Sequence, residues 1–392
     1  MHQRHWQQRL LALWQGKGVV STALLPLAWL YGAALRLRRW RYALFPPSVP
    51  ANRPPIVVVG NLVIGGTGKT PVVMALALAL RALGWQPGII SRGYGVRIQA
   101  KEAARSGRGQ LDAARFGDEP ALIARQTHCP IAVHPNRLRA MQALLTDYPE
   151  VDCIISDDGL QHLALPREAT IIVQDARGLG NGRLLPAGPL REAARRLRDA
   201  QVLMTNLTTR KAAFEAYPRY TQQYTQQHNH PALPCYRTAM WLAPVSVTRL
   251  CDGLHMDWQD WYGQHGQPPN KIAALAGIGQ PQRFFAMLTE HGLTLAHTRA
   301  LADHAALNAA NLHGLETMQA LLITDKDAVK LPKNTDGRLW SVQVSPHFPD
   351  GQTLGSDRDH PHFSFKWVSV IHARIQEYTA VHCRPTPDRL NT

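Results

Sequence analysis

The sequence predicts an α/β protein, with a parallel-sheet core domain, a second and smaller α/β domain, and a membrane-associated helix at the N-terminal end. Three observations predict it. Short apolar runs end on polar clusters at Gly60, Arg92, Asp157 and Asn206, with helical patterns between them. Strands alternating with helices form parallel sheets whose ligands sit at the strands' carboxyl ends. A second set of the same kind opens at Lys271, and a length of 392 residues suits two domains.

The elements follow in order. Trp6, Leu10, Leu13 and Trp14 share one helical face, closed by Gly16 and Gly18, and Val19 to Leu35 is an apolar stretch of about 17 residues. A spanning helix needs about 20. Arg4, Arg9 and Lys17 precede the stretch and Arg36, Arg38, Arg39 and Arg41 follow it, so no charge asymmetry orients a span. A helix lying in the headgroup region, with Trp29, Trp40 and Tyr42 at the interface, accounts for this pattern better than a span or a buried helix. A cleaved signal peptide is not expected.

Ile56 to Val59 is a strand, and Gly60-Asn-Leu-Val-Ile-Gly-Gly-Thr-Gly-Lys-Thr-Pro71 follows it directly. Glycines at 65, 66 and 68 let successive N–H groups turn inward on phosphate oxygens, ahead of a helix that Pro71 helps start and that continues from Val72 to Leu83. This is a P-loop of variant form, because Val63 stands where the usual pattern has its first glycine. Val63, Ile64, Gly65, Gly66, Thr67, Gly68, Lys69 and Thr70 form the expected nucleotide cradle, with Lys69 on the β and γ phosphates and Thr70 on Mg²⁺.

Further strands are expected over Gln86–Ser91, Val151–Ser156, Thr170–Gln174 and Gln201–Thr205. Residues 210–235 are polar and rich in Gln and His, and read as a loop or an irregular helix. Tyr236 to Leu250 suggests the strands of a linker. Lys271–Gly277, a helix from Pro281 to His291, and Leu321–Thr324 build the second domain, and Trp367 to Val381 has helical periodicity. The expected division is 1–45, 46–235, 236–345 and 346–392, with the last segment packing on either domain.

Composition narrows the function. A 45% hydrophobic, 18% charged chain folds around an ordinary core, and a net charge of +15 predicts an anionic partner. Five scattered cysteines without C-x-x-C spacing indicate neither a zinc site nor a disulfide framework. Of the 18 histidines only His228 and His230 cluster, in a polar loop. No aromatic-basic motif for RNA or DNA is present, so nucleic acid is not an expected partner, and no obligate protein partner is evident.

Several clusters could carry chemistry. Asp157 and Asp158 follow an apolar strand, where a P-loop enzyme places the carboxylate completing the Mg²⁺ shell; an Asx turn is the plainer reading. Two extended aspartates would point in opposite directions. Gln161 and His162 lie at the same mouth. In Gly117-Asp-Glu-Pro120, Asp118 either caps a helix beginning near Pro120 or acts as a general base, and a base needs an orienting partner. Asp303-His304 would supply one if the two domains face each other. Arg177, Arg183 and Arg191 combine with rigid turns to suit phosphate, whereas Arg195, Arg196 and Arg198 suit a solvated or lipid-facing surface.

These motifs together closely resemble the tetraacyldisaccharide 4'-kinases of lipid A biosynthesis. The resemblance rests on Gly60-Asn61, Gly65 to Pro71, Ser91-Arg-Gly-Tyr-Gly95, Gly117-Asp-Glu-Pro120, Ser156 to His162, Leu184 to Glu192, Asp303-His304 and Thr324-Asp-Lys-Asp-Ala-Val-Lys330, in order along most of the chain. It implies ATP and Mg²⁺ as cofactors and phosphorylation of an anionic acylated disaccharide 1-phosphate at its 4'-hydroxyl. The implied place is a membrane surface, the cytoplasmic face of the Gram-negative inner membrane. It further implies Asp118 as base with His304 as its partner, Lys69 on the phosphates, and Asp157 and Asp158 as metal or nucleotide groups. Arg92, Tyr94, Arg137, Gln161, His162, Arg191 and Glu192 would line the cleft. Asp325 replaces the Glu common in the family. A P-loop GTPase or metal-insertion chaperone is the alternative, but Thr324-Asp-Lys-Asp327 lacks the residue that separates lysine from aspartate in a guanine-reading motif.

Overall fold

The computed structural model describes residues 14–50, 52–99, 101–226, 235–267, 269–302, 307, 309–331, 336–349 and 365–382. Its centre is a mixed, mostly parallel sheet of thirteen strands in the order β11-β10-β12-β13-β8-β7-β6-β1-β5-β2-β4-β3, with β9 paired to β8. The first half comprises β1 (Ile56–Gly60), β2 (Pro87–Ser91), β3 (Arg105–Gly107), β4 (Ile131–Val133), β5 (Cys153–Asp157), β6 (Ala169–Asp175) and β7 (Val202–Asn206). All pair in parallel except β3, which runs antiparallel along β4. The second half comprises β9 (His255–Asp257), β10 (Ile272–Ala276), β11 (Leu295–Ala300), β12 (Ala320–Thr324) and β13 (Leu339–His347).

One strand joins the halves. β8 (Tyr236–Arg249) lies parallel to β7 from Tyr236 to Met240, then antiparallel to β13 from Trp241 onward. The region expected to hold separate linker strands is therefore a single 14-residue strand. Its alternation and β-branched content were legible; its two partners were not, because pairing is a non-local choice.

Burial follows the parallel-sheet rule that interior strands are apolar on both faces. β1, β2, β5 and β7 are buried at every position. Among the helices, α1 (Val19–Ala23) and α2 (Leu25–Leu44) precede the sheet, and α3 (Lys69–Ala82) packs Val72, Val73, Leu76 and Leu80 onto one face. Each such aliphatic side chain contributes on the order of 2 kcal/mol on burial. α4 (Ala113–Phe116), α5 (Asp118–Thr127) and α6 (Arg137–Asp147) complete the first half.

α7 (Arg210–Gln226) is a helix with Pro218 inside it, the irregular helix of the two forms expected there. α8 (Trp258–His265), α9 (Pro281–Glu290), α10 (Ala309–Leu312) and α11 (Asp325–Ala328) belong to the second half. The C-terminal α12 (Lys366–His382) joins the first half: Trp367, Val368, Ile371 and Ile375 are buried in one cluster with Val57, Val73 and Ile171. Among the described residues no helix is long and apolar enough to cross a membrane.

Candidate active site

The glycine loop leaves β1 at Gly60 and enters α3 at Lys69. The helix starts at Lys69, two residues ahead of Pro71, so Lys69 and Thr70 occupy its first turn, where N–H groups are unpaired and anions are favoured. Gly68 has φ +90, and a Cβ there would fall 2.2 Å from Asn206 Nδ2. The space is taken because Asn206, at the end of β7, donates to the Thr67 carbonyl at 3.0 Å. Asn61 likewise donates from Nδ2 to the Gly65 carbonyl at 3.2 Å. Val63 pairs with Leu190, and Ile64 N–H donates to Pro189 O at 3.0 Å, so the 177–192 segment supports the loop's first limb.

β5 delivers the aspartates. Asp157 is 2% exposed and accepts from Ser91 Oγ at 3.0 Å on Oδ2, while its Oδ1 is buried with no hydrogen-bond partner among the described residues. Burial, with the charges of Glu119 and Asp158, pushes its carboxyl up to about 6 against the pull of Lys69 and Arg137. Asp158 is not extended. It has φ +48, a left-handed conformation that Asp tolerates, and this turns its carboxylate toward the loop. It pairs with Lys69 at 3.7 Å and with Arg191 in a two-pronged contact at 2.9 and 3.1 Å. Although burial opposes it, Lys69 and Arg191 hold this carboxyl well below its usual range.

The residues expected around the cleft take distinct positions. Arg137, 2% exposed, donates to the carbonyls of His134 and Asp157 at 3.1 and 3.2 Å, bracing the mouth from beneath; burial lowers it to about 10. Gln161 donates to Asn61 O at 3.2 Å and its carbonyl accepts from Arg38 of α2 at 2.9 Å. His162 is pushed down to about 4 by burial and by the charges of Arg137, Arg38 and Arg92, so its imidazole is neutral at pH 7. Glu192 is buried and bonded to Arg39. Arg92 and Tyr94 are exposed.

Asp118 and Glu119 open α5 rather than preceding it at Pro120. Glu119 pairs with Lys326 at 2.8 Å and Asp118 with Lys330 at 3.5 Å, both lysines coming from the second half. Asp325 bonds Gln126 and Ser341 and pairs with Arg125 at 3.2 Å. The two halves thus meet at both ends of α5. Asp303 and His304 lie outside the described residues. Of the arginine run, Arg196 pairs with Asp199 within the 3₁₀ turn Ala194–Asp199.

Three residues that the sequence places at strand ends or in motifs, Ser91, Asn206 and Lys330, carry roles that it does not assign. Ser91 and Asn206 end apolar strands, the same signal that marks Asp157, but nothing local says which group either would bond. Lys330 acts across the halves, and no local pattern announces that.

The matching profile of the tetraacyldisaccharide-1-P 4'-kinase family covers residues 20–357. The chain belongs to this family. A tetraacyldisaccharide 4'-kinase of Bordetella parapertussis is 47% identical over 337 residues, 86% of this chain and 91% of that protein. One of Polynucleobacter asymbioticus is 40% identical over 347 residues, again 86% and 91%. The solved structure of the Aquifex aeolicus enzyme in complex with ATP superposes with a TM-score of 0.64 at 22% identity, covering 91% of this chain and all of that one, and shares its fold. As a member of the family the chain is a kinase of lipid A biosynthesis.

Proposed function

We propose that this family member transfers the γ-phosphate of ATP to the 4'-hydroxyl of a tetraacyldisaccharide 1-phosphate, working from a membrane surface at the cytoplasmic face of the inner membrane. The observation that carries this reading is how α2 is attached. Its outer face exposes Trp29, Leu30, Leu37 and Trp40, each more than 60% accessible. Its inner face is tied to the site: Tyr31 donates to Arg191 O at 2.8 Å, Arg39 bonds Glu192, and Arg38 donates to Gln161 O. An apolar, arginine-flanked helix fastened to the residues that frame a phosphate loop suits a lipid acceptor delivered from a bilayer. A soluble switch protein has no use for it.

The chemistry then falls to named groups. The 63–70 loop would hold the triphosphate with its N–H groups and Lys69, which exchanges Asp158 for phosphate oxygens. The residues fit Mg²⁺: Thr70 lies in the first turn of α3, and the buried Oδ1 of Asp157, without a hydrogen-bond partner among the described residues, offers the sparse carboxylate set that Mg²⁺ uses alongside phosphate and water. When bound, the ion neutralises charge on the phosphates. Asp118 would accept the hydroxyl proton, and Lys330 holds it at the junction of the halves. The GTPase alternative is less well supported, since Asp327 is committed to Thr324 Oγ1 at 2.7 Å and Gly277 N–H at 2.9 Å, a structural role.

The test is transfer of label from [γ-³²P]ATP to detergent-dispersed tetraacyldisaccharide 1-phosphate, with Asp118→Ala alongside. A labelled bisphosphate lipid made by the parent and reduced at least about a hundredfold in the variant supports the reading. Label appearing only as free phosphate would sink it.

A further inference from the structure

We propose that Arg177 is a further catalytic residue, an arginine supplied from within the chain to the terminal phosphate held by the glycine loop. The proposal rests on the kinase reading and adds to it a group that stabilises the transferring phosphoryl.

The placement is specific. A Cβ built on Gly65 would lie 3.3 Å from Arg177 Nη2 and 3.6 Å from Nη1, so the guanidinium rests against the loop backbone where Gly65, at φ +110, carries no side chain. Asp175, the last residue of β6, fixes it there. Its carboxylate accepts from Arg177 Nε at 3.0 Å and Nη2 at 2.7 Å, and from the Arg177 backbone N–H at 3.0 Å. Nη1 makes no hydrogen bond among the described residues, so one nitrogen of a pinned fork beside Gly65 is open to a ligand of the loop. Asp175 is 3% exposed, and although burial favours its neutral form, the Arg177 contacts hold its carboxyl below the usual range. Asp175 therefore stays a carboxylate in front of the guanidinium.

The same carboxylate is reached from the second half. Gln280 donates to Asp175 Oδ2 at 3.3 Å, Arg283 approaches it at 3.9 Å, and Arg283 also donates to the carbonyl of Asn206, the residue that holds Thr67. Asp175 is a positioning residue whose geometry depends on the two halves being together. In the transfer, the acceptor oxygen bonds to Pγ, the bond from Pγ to the bridging oxygen breaks, and its electron pair leaves with ADP. The hydroxyl proton passes to Asp118, and Arg177 keeps all its protons while its charge offsets that gathering on the phosphoryl oxygens.

The experiment compares full-length parent, Arg177→Ala and Arg177→Lys by lipid phosphorylation, by ATP and ADP affinity and by thermal melting. Arg177→Ala is expected to lower kcat at least about a hundredfold. ADP affinity should stay within about threefold while the preference for ATP over ADP shrinks. Lysine, lacking the fork, should not restore turnover, and added guanidinium ion should partly rescue the alanine variant but not Lys69→Ala. A variant that keeps kcat within about threefold overturns the proposal, as does a loss matched by equal weakening of ADP and untouched by guanidinium. A parent that consumes ATP without labelling lipid would instead defeat the kinase reading, and the ATP-to-ADP comparison would still report on Arg177.

Discussion

The Lys330 ammonium stands 3.5 Å from Asp118 and 3.0 Å from Asp327, joining the first turn of α5 to a buried carboxylate of the second half. Replacing Lys330 by Met removes the cation facing Asp327 and one of the contacts of Asp118. The expected result is a loss of about 2 to 4 kcal/mol in denaturant unfolding and a fall in kcat of about tenfold. Lys330→Arg should recover much of the stability. Unchanged turnover in the Met variant would show that the tether does not position the base.

Gly68 and Asn206 form a second dependent pair. Gly68→Ala forces a Cβ into Asn206 Nδ2 and demands φ +90 of an alanine, so ATP affinity should fall at least about tenfold. Adding Asn206→Ala relieves the collision but not the backbone strain, and it removes the bond to Thr67 O. Titration of both variants with ATP should therefore show no more than partial recovery in the double variant; full recovery would mean that the strain is negligible.

The outer face of α2 is expected to meet lipid. Leu30→Glu with Leu37→Glu changes two exposed positions, 67% and 64% accessible, without touching Ala28 and Gly32 on the packed face. Flotation with anionic phospholipid vesicles should show binding lowered about tenfold or more, with ATP affinity unaltered. Equal flotation of variant and parent would remove α2 as the anchor.

His162 predicts a pH effect. Its folded value of about 4 lies below the unfolded value near 6.5, so between these limits the unfolded chain binds a proton that the folded chain does not. Stability conferred by the neutral imidazole is complete above about pH 6.5 and declines as pH falls toward 4, by up to about 1.4 kcal/mol per unit. Urea midpoints at pH 7 and pH 5 should drop further for the parent than for His162→Gln. The same drop in both would place the titration elsewhere.

What the sequence determined by itself was local. The run from Ile56 to Thr70 specifies strand, loop and helix through apolar content and glycine placement, and the strands ending at Ser91, Asp157 and Asn206 announce where ligands gather. Motifs in a known order also carried the family, because such spacing survives without knowledge of contacts. The three-residue strands β3 and β4 were not legible, since runs that short have no measurable alternation. Tertiary structure decided what depends on distant partners: that β8 serves both halves of the sheet, that α12 packs on the first half, and that Asp158 turns left-handed to face Lys69 and Arg191. It also decided that Lys330 meets Asp118 and that Arg177 rests on Gly65. Each of these contacts joins residues whose neighbours in sequence say nothing of the other, and only closure of the sheet brings them within a few ångströms.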